Sequence, residues 1–112
     1  MVTAAGMVGY YAGPNVHIVD SWALYDPLLA RIKNDESNPR IGHFTRRPVD
    51  GYIETLQTGL NQISDPALAR YYDKLKIVIS GDLWSWERLR TIWEMNTGKY
   101  DDLLDTYSQN RE

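Results

Sequence analysis

The side chains able to do chemistry in this chain are few and widely spaced. His17 and His43 have no cysteine partner, since the chain contains none, and neither belongs to a His-Glu-x-x-His pattern. No metal ligand set and no cofactor is expected from them. Asp20 follows directly on the β-branched run Val16-His17-Ile18-Val19. In parallel α/β sheets, ligands bind at the carboxyl ends of strands, which makes Asp20 a candidate substrate-binding residue. The competing reading is a turn aspartate that accepts hydrogen bonds from its own backbone. Arg40, His43, Arg46 and Arg47 form the one local basic cluster, and the planar guanidinium fork suits phosphate or carboxylate. Pairing of these arginines with the abundant carboxylates is the alternative. Trp84 and Trp86 flank Ser85, beside Asp82, and an exposed indole there could stack on a sugar ring. Core or staple packing of both indoles is the leading reading. The chain has no Ser-His-Asp order, phosphate-cradling glycine loop or nucleophile elbow, and no catalytic residue is assigned.

The elements that must position these groups follow from turn and cap residues. Residues 2–11 are small and apolar and read as a strand running into a short helix, ended by Gly13-Pro14-Asn15. Residues 16–19 predict a strand. Asp26-Pro27 supplies a helix cap and a first-turn proline ahead of Leu28, Leu29 and Ile32. Residues 33–40 are polar and loop-like, and residues 41–47 predict a short extended piece. Helices are predicted over 50–58, 66–75, 86–96 and 99–108, with a second strand over 76–80 built on Ile77-Val78-Ile79. Their spacing turns Ile53, Leu56, Leu68, Tyr72, Leu89, Trp93, Leu103 and Leu104 inward. The similar strings Asp26-Pro27-Leu28-Leu29-Ala30-Arg31 and Asp65-Pro66-Ala67-Leu68-Ala69-Arg70 reflect what any helix start rewards, and not duplication. The expected fold is therefore a single α+β (small α/β) domain with two or three short strands flanked by four or five helices.

Composition sets the outer limits. The chain has 112 residues, 43% hydrophobic and 24% charged, a balance that supports one hydrophobic core without staples. Its net charge of −3 provides no field for gathering phosphates, so nucleic acid is not an expected partner. No apolar run approaches the ~20 residues needed to span a bilayer. Four Trp and eight Tyr stand beside one Phe, an aromatic load weighted toward side chains with a polar tip.

Several strings also carry a family likeness. Ala4-Ala5-Gly6-Met7-Val8-Gly9-Tyr10-Tyr11, Val16-His17-Ile18-Val19-Asp20 and Ala23-Leu24-Tyr25-Asp26-Pro27 are followed by Arg40-Ile41-Gly42-His43-Phe44 and Tyr71-Tyr72-Asp73. The run from Trp93 through Asn96-Thr97-Gly98-Lys99-Tyr100-Asp101 completes the pattern. Together they resemble the soluble C-terminal segment of bacterial polytopic membrane glycosyltransferases of the GT-C class, arabinofuranosyltransferase-like and mannosyltransferase-like. The resemblance implies a parent enzyme that takes a sugar from a polyprenyl-phosphate donor, with catalytic acids in loops outside this segment. It implies a non-catalytic domain on the extracytoplasmic face of the bacterial inner membrane, tethered by preceding membrane segments and aiding acceptor binding in cell-envelope glycan synthesis. Asp20 and Asp26 match the family's strand-end and post-strand aspartates. The alternative is a non-catalytic protein-interaction or structural domain, in which the same aromatics are buried or meet a partner chain.

Overall fold

The computed structural model describes residues 6–33 and 45–110. It contains five α-helices: α1 (Gly6–Ala12), α2 (Tyr52–Thr58), α3 (Pro66–Ser80), α4 (Trp86–Asn96) and α5 (Asp101–Gln109). One 3₁₀ turn, Leu29–Arg31, lies between α1 and α2. No strand occurs among the described residues, which corrects the expected α+β fold to a helical one. The chain divides into two compact units, Met1–Val49 and Asp50–Glu112.

Both predicted strands fail, for different reasons. Ile77-Val78-Ile79 lies in the last turn of α3. That helix is launched by Asp65, whose Oδ1 accepts the Leu68 N–H at 2.9 Å, with Pro66 in its first turn. From there Leu68, Tyr71, Tyr72 and Leu75 are buried at spacings of three and four. The helical period runs straight into the β-branched residues, and their strand preference of a few tenths of a kcal/mol each does not interrupt a helix already nucleated. Gly81 caps α3, its N–H donating to the Ile77 carbonyl at 3.0 Å, instead of closing a strand. Residues 16–19 are irregular, with only an isolated bridge at Asp20, and among the described residues no second strand pairs with them.

In the first unit Leu28, Leu29, Ile32 and Ala23 are buried around the equally buried Asp20 and Asp26. The predicted helix after Asp26-Pro27 is reduced to the single 3₁₀ turn. Helix α1 buries none of its residues, and the predicted strand before it falls on residues 2–5, outside the described set. Ala23 adopts φ +56°, the left-handed region, as the one non-glycine residue to do so among those described.

In the second unit α3 packs against both α4 and α5. Tyr52 of α2 meets Tyr72 of α3 edge-to-face, ring centroids 5.7 Å apart. Helix α2 starts from Gly51 at φ +82° and stops at Gly59 at φ +73°, whose N–H donates to the Thr55 carbonyl. The return loop presses closely on α2: a Cβ built on Gly51 would lie 1.8 Å from the Gln62 carbonyl oxygen. Thr55 joins the two segments, its hydroxyl donating to the Gly51 carbonyl at 2.6 Å and accepting the Gln62 N–H at 2.8 Å.

Of the residues expected inside, Leu68 and Tyr72 are buried and Ile53, Leu56, Leu103 and Leu104 are half-buried. Leu89 and Trp93 are not inside: 44% and 67% of their surface is exposed. Thr91 and Glu94 are the buried residues of α4. Its amphipathic stripe points away from α3 because the core side is filled instead by these polar residues, each with hydrogen bonds that satisfy it.

Candidate functional site

The predicted site residues separate between the two units. Asp20, 1% exposed, accepts the Trp22 N–H at Oδ1 and the Leu24 N–H at Oδ2, both at 3.0 Å. Its carboxylate organises the turn that carries the left-handed Ala23. Asp26 is fully buried and caps the 3₁₀ turn, Oδ1 accepting the N–H groups of Leu28 and Leu29 at 3.0 and 2.9 Å. Its Oδ2 lies 3.3 Å from Nε2 of His17. Arg46 donates from Nε to the Ile32 carbonyl at 2.9 Å and from its backbone N–H to Ser21 at 2.7 Å, tying its segment to the same loop. Arg47 is exposed, and Arg40 and His43 lie outside the described residues. The structure thus brings Asp20, Asp26, His17 and Arg46 into one loop-organising cluster. A cleft of about 410 Å³ opens beside it, with Tyr10, His17 and Tyr25 on its walls.

Trp84 and Trp86 belong to the second unit and are 86% and 80% exposed. Ser85 between them caps α4, its Oγ accepting the Arg88 N–H at 3.2 Å, which fixes the backbone on which both indoles stand. Trp86 lines an open cleft of about 520 Å³ together with Lys74, Arg90, Glu94, Lys99 and Tyr100. Glu94 is the centre of this group. It is 6% exposed, and its Oε1 accepts Arg90 Nε at 3.0 Å and Lys99 Nζ at 2.6 Å, while Oε2 accepts the Tyr100 hydroxyl.

The electrostatics follow from those bonds. The Lys99 hydrogen bond, then that of Tyr100, hold the Glu94 carboxyl down at about 2 from an ordinary 4.5, with a smaller push from Arg90 and an opposing one from burial. Tyr100 is raised above its ordinary value, first because its hydroxyl donates to Glu94 and then by burial. At neutral pH the site therefore holds an ionised carboxylate and a protonated phenol. Neither is poised to exchange a proton, so the group is suited to binding rather than to acid–base chemistry. Lys99 and Arg90 carry more N–H donors than Glu94 accepts, and Trp86 adds an apolar plate at the same opening. The cleft falls within the ~300–1,000 Å³ range of small-ligand pockets.

Sequence reasoning located Trp86 but not Glu94, Arg90, Lys99 and Tyr100. A signal was present. Glu94 sits in the last turn of α4, where the helix dipole disfavours an anion, and Arg90 stands four residues before it. Gly98, at φ +78°, then turns the chain so that Lys99 and Tyr100 come back onto the same carboxylate. Among the described residues no group of three or more His, Asp or Glu is arranged to hold a metal ion, and no helix is long and apolar enough to cross a membrane. The chain matches no family model, no curated protein and no solved structure.

Proposed function

We propose that this chain is a non-catalytic glycan-recognising domain, serving a membrane glycosyltransferase that draws on a polyprenyl-phosphate sugar at the extracytoplasmic face of the bacterial inner membrane. The observation that carries the reading is the α4 cleft, where an exposed indole shares one opening with the cations Lys74, Arg90 and Lys99, the carboxylates of Glu87 and Glu94 and a phenol. Sugar rings offer an apolar face to an indole and vicinal hydroxyls to charged hydrogen-bonding groups, and this cleft presents both kinds of partner. The sequence resemblance to the GT-C enzymes supports the choice of parent, and the chemistry of sugar transfer is assigned to that parent. Acceptor glycan is the ligand proposed for the cleft, with Trp86, Arg90 and Lys99 as contacting residues.

The test is a titration of the isotope-labelled chain with oligosaccharides of the bacterial envelope, followed through indole, guanidinium and lysine side-chain resonances. Saturable shifts confined to Trp86, Arg90 and Lys99, abolished in Trp86→Ala with the helical signal intact, are the expected result. Resonances that stay unmoved up to millimolar sugar, or that move equally in Trp86→Ala, would overturn the reading.

A further inference from the structure

The cleft on α4 holds one cation that a neutral sugar leaves without a counter-charge. Lys74, on α3, lines it and is half-buried, and among the described residues no carboxylate lies within ion-pair distance of its ammonium. A cation that gives up part of its hydration is repaid only when an anion or a set of acceptors takes the place of water. Arg90 and Lys99 are paired with Glu94 but are not used up by it. Arg90 gives only Nε, which leaves the N–H groups of both its terminal nitrogens, and Lys99 gives Glu94 a single N–H. Glu94 is 6% exposed and both of its oxygens accept bonds, whereas the Arg90 and Lys99 side chains are 66% and 52% exposed. The negative charge therefore sits behind the two cations, and a ligand entering the opening meets their N–H groups first. Among the described residues Glu87 is the one other carboxylate on the wall, so three cations against two carboxylates leave the cleft an excess of one positive charge.

We infer that the glycan taken by this cleft is acidic: a sugar ring stacked on Trp86 carries an oxyanion, carboxylate or phosphate, which Lys74 and the terminal N–H groups of Arg90 receive. The inference rests on the glycan-recognising reading and adds to it the class of sugar and a specificity-determining residue, Lys74. Stacking on an indole is open to the apolar face of any sugar and selects little. Hydrogen bonds between ionised partners are roughly twice as strong as neutral ones, and they supply the selection. Glu94, through its bonds to Arg90 and Lys99, holds two of the cations in place before a ligand arrives, which lowers the ordering cost of binding. The chain as a whole carries −3, so no long-range field gathers anions and selection acts at the short range of the cleft. Glu87, exposed on the same wall, opposes the oxyanion and limits its affinity.

The experiment titrates the full, isotope-labelled chain with methyl glucoside, with methyl glucuronide, with the glucoside phosphorylated on its primary hydroxyl, and with inorganic phosphate. The three sugars share one ring and differ only in charge. Binding is followed through the Trp86 indole N–H and the lysine side-chain resonances. The expected result is that one or both acidic sugars bind about tenfold or more tighter than methyl glucoside, less so as salt is raised, with Lys74 responding to the acidic sugars alone. The two acidic arms say which oxyanion the cleft prefers. Lys74→Gln should bring that preference down to about twofold or less while methyl glucoside binding and helical content stay unchanged, and Glu87→Gln should raise it. Acidic and neutral sugars that bind equally, or an acidic preference that survives Lys74→Gln, overturn the inference and leave the glycan reading standing. Inorganic phosphate that binds as tightly as the acidic sugars, with Trp86 unmoved by any ligand, removes the glycan reading and the inference together. So does a chain that responds to none of the three sugars.

Discussion

Replacing Thr55 by Val keeps the shape of a side chain that is 1% exposed and removes only its hydroxyl. That hydroxyl donates to the Gly51 carbonyl and accepts the Gln62 N–H at 2.8 Å, so the variant strips a partner from both ends of the α2 return loop. The carbonyl has a second bond, from the Thr55 N–H at 3.0 Å, and is less affected. The Gln62 donor loses its partner, and a donor left unsatisfied in a partly buried setting costs about 1–3 kcal/mol. Val and Thr differ little in helix propensity, so the cost falls on the hydrogen bonds. For a unit of this size each kcal/mol corresponds to about 4–8 °C in the thermal midpoint. Urea and thermal unfolding by circular dichroism should therefore show Thr55→Val lowered by at least about 1 kcal/mol, and Thr55→Ser should recover most of the loss despite its missing methyl. Amide exchange at Gln62 should accelerate in the Val variant alone. A Val variant as stable as the parent, with Gln62 exchange unchanged, would refute the claim that this hydroxyl holds the loop.

Three further outcomes follow from the same geometry. Glu94 titrates near 2 in the folded chain against an ordinary 4.5, so its contribution to stability is complete above about 4.5 and is lost as pH falls toward 2; urea midpoints across that window should fall for the parent and stay flatter for Glu94→Gln. Ala23 holds a left-handed φ of +56°, which costs a side chain about 1–2 kcal/mol. Ala23→Gly relieves that strain while loosening the unfolded chain by about 0.4–1 kcal/mol, for a net gain between about 0 and 1.6 kcal/mol in thermal unfolding. Gly51→Ala should cost roughly 2–5 kcal/mol, because strain at φ +82° adds to a Cβ driven into the Gln62 backbone. Gly59→Ala, at φ +73° with open space around it, should cost only about 1–2 kcal/mol, and equal losses at the two sites would contradict the close approach.

Where the sequence was legible, local chemistry decided the structure. Asp65-Pro66 and Ser85 start α3 and α4, and Gly59 ends α2, because caps and glycines act within a few residues of themselves. The two Asp-Pro strings show where such locality ends. Asp26 caps the turn after it as Asp65 does, yet one turn stops after three residues and the other continues for fifteen, since only α3 has two helices to pack against. Residues 16–19 find no pairing strand among the described residues, whereas 76–80 are taken up by the helix that Asp65 and Pro66 launch. The inward stripe on α4 was misdirected for a related reason: periodicity identifies an apolar face but not what it meets, and Glu94, satisfied by Arg90, Lys99 and Tyr100, took the core side. The cleft at α4 was half legible, through Trp86 and the i, i+4 pair Arg90–Glu94, because Lys99 and Tyr100 reach that carboxylate only through the turn at Gly98.

The hydrogen bond from Asn110 Nδ2 to Asp65 Oδ2, 3.2 Å long, has a consequence for the order of assembly. Asp65 offers its other oxygen to the start of α3, so one carboxylate serves both the first turn of the central helix and the residue that follows α5. During synthesis α3 and α4 can pair as soon as they leave the ribosome, being neighbours along the chain. The contact through Asn110, 45 residues after Asp65, must wait until α5 has also emerged. The nascent unit therefore passes through a two-helix stage in which the side of α3 that will receive α5, with buried Tyr107, is still uncovered, and chaperone contact with that side should cease only once α5 has docked.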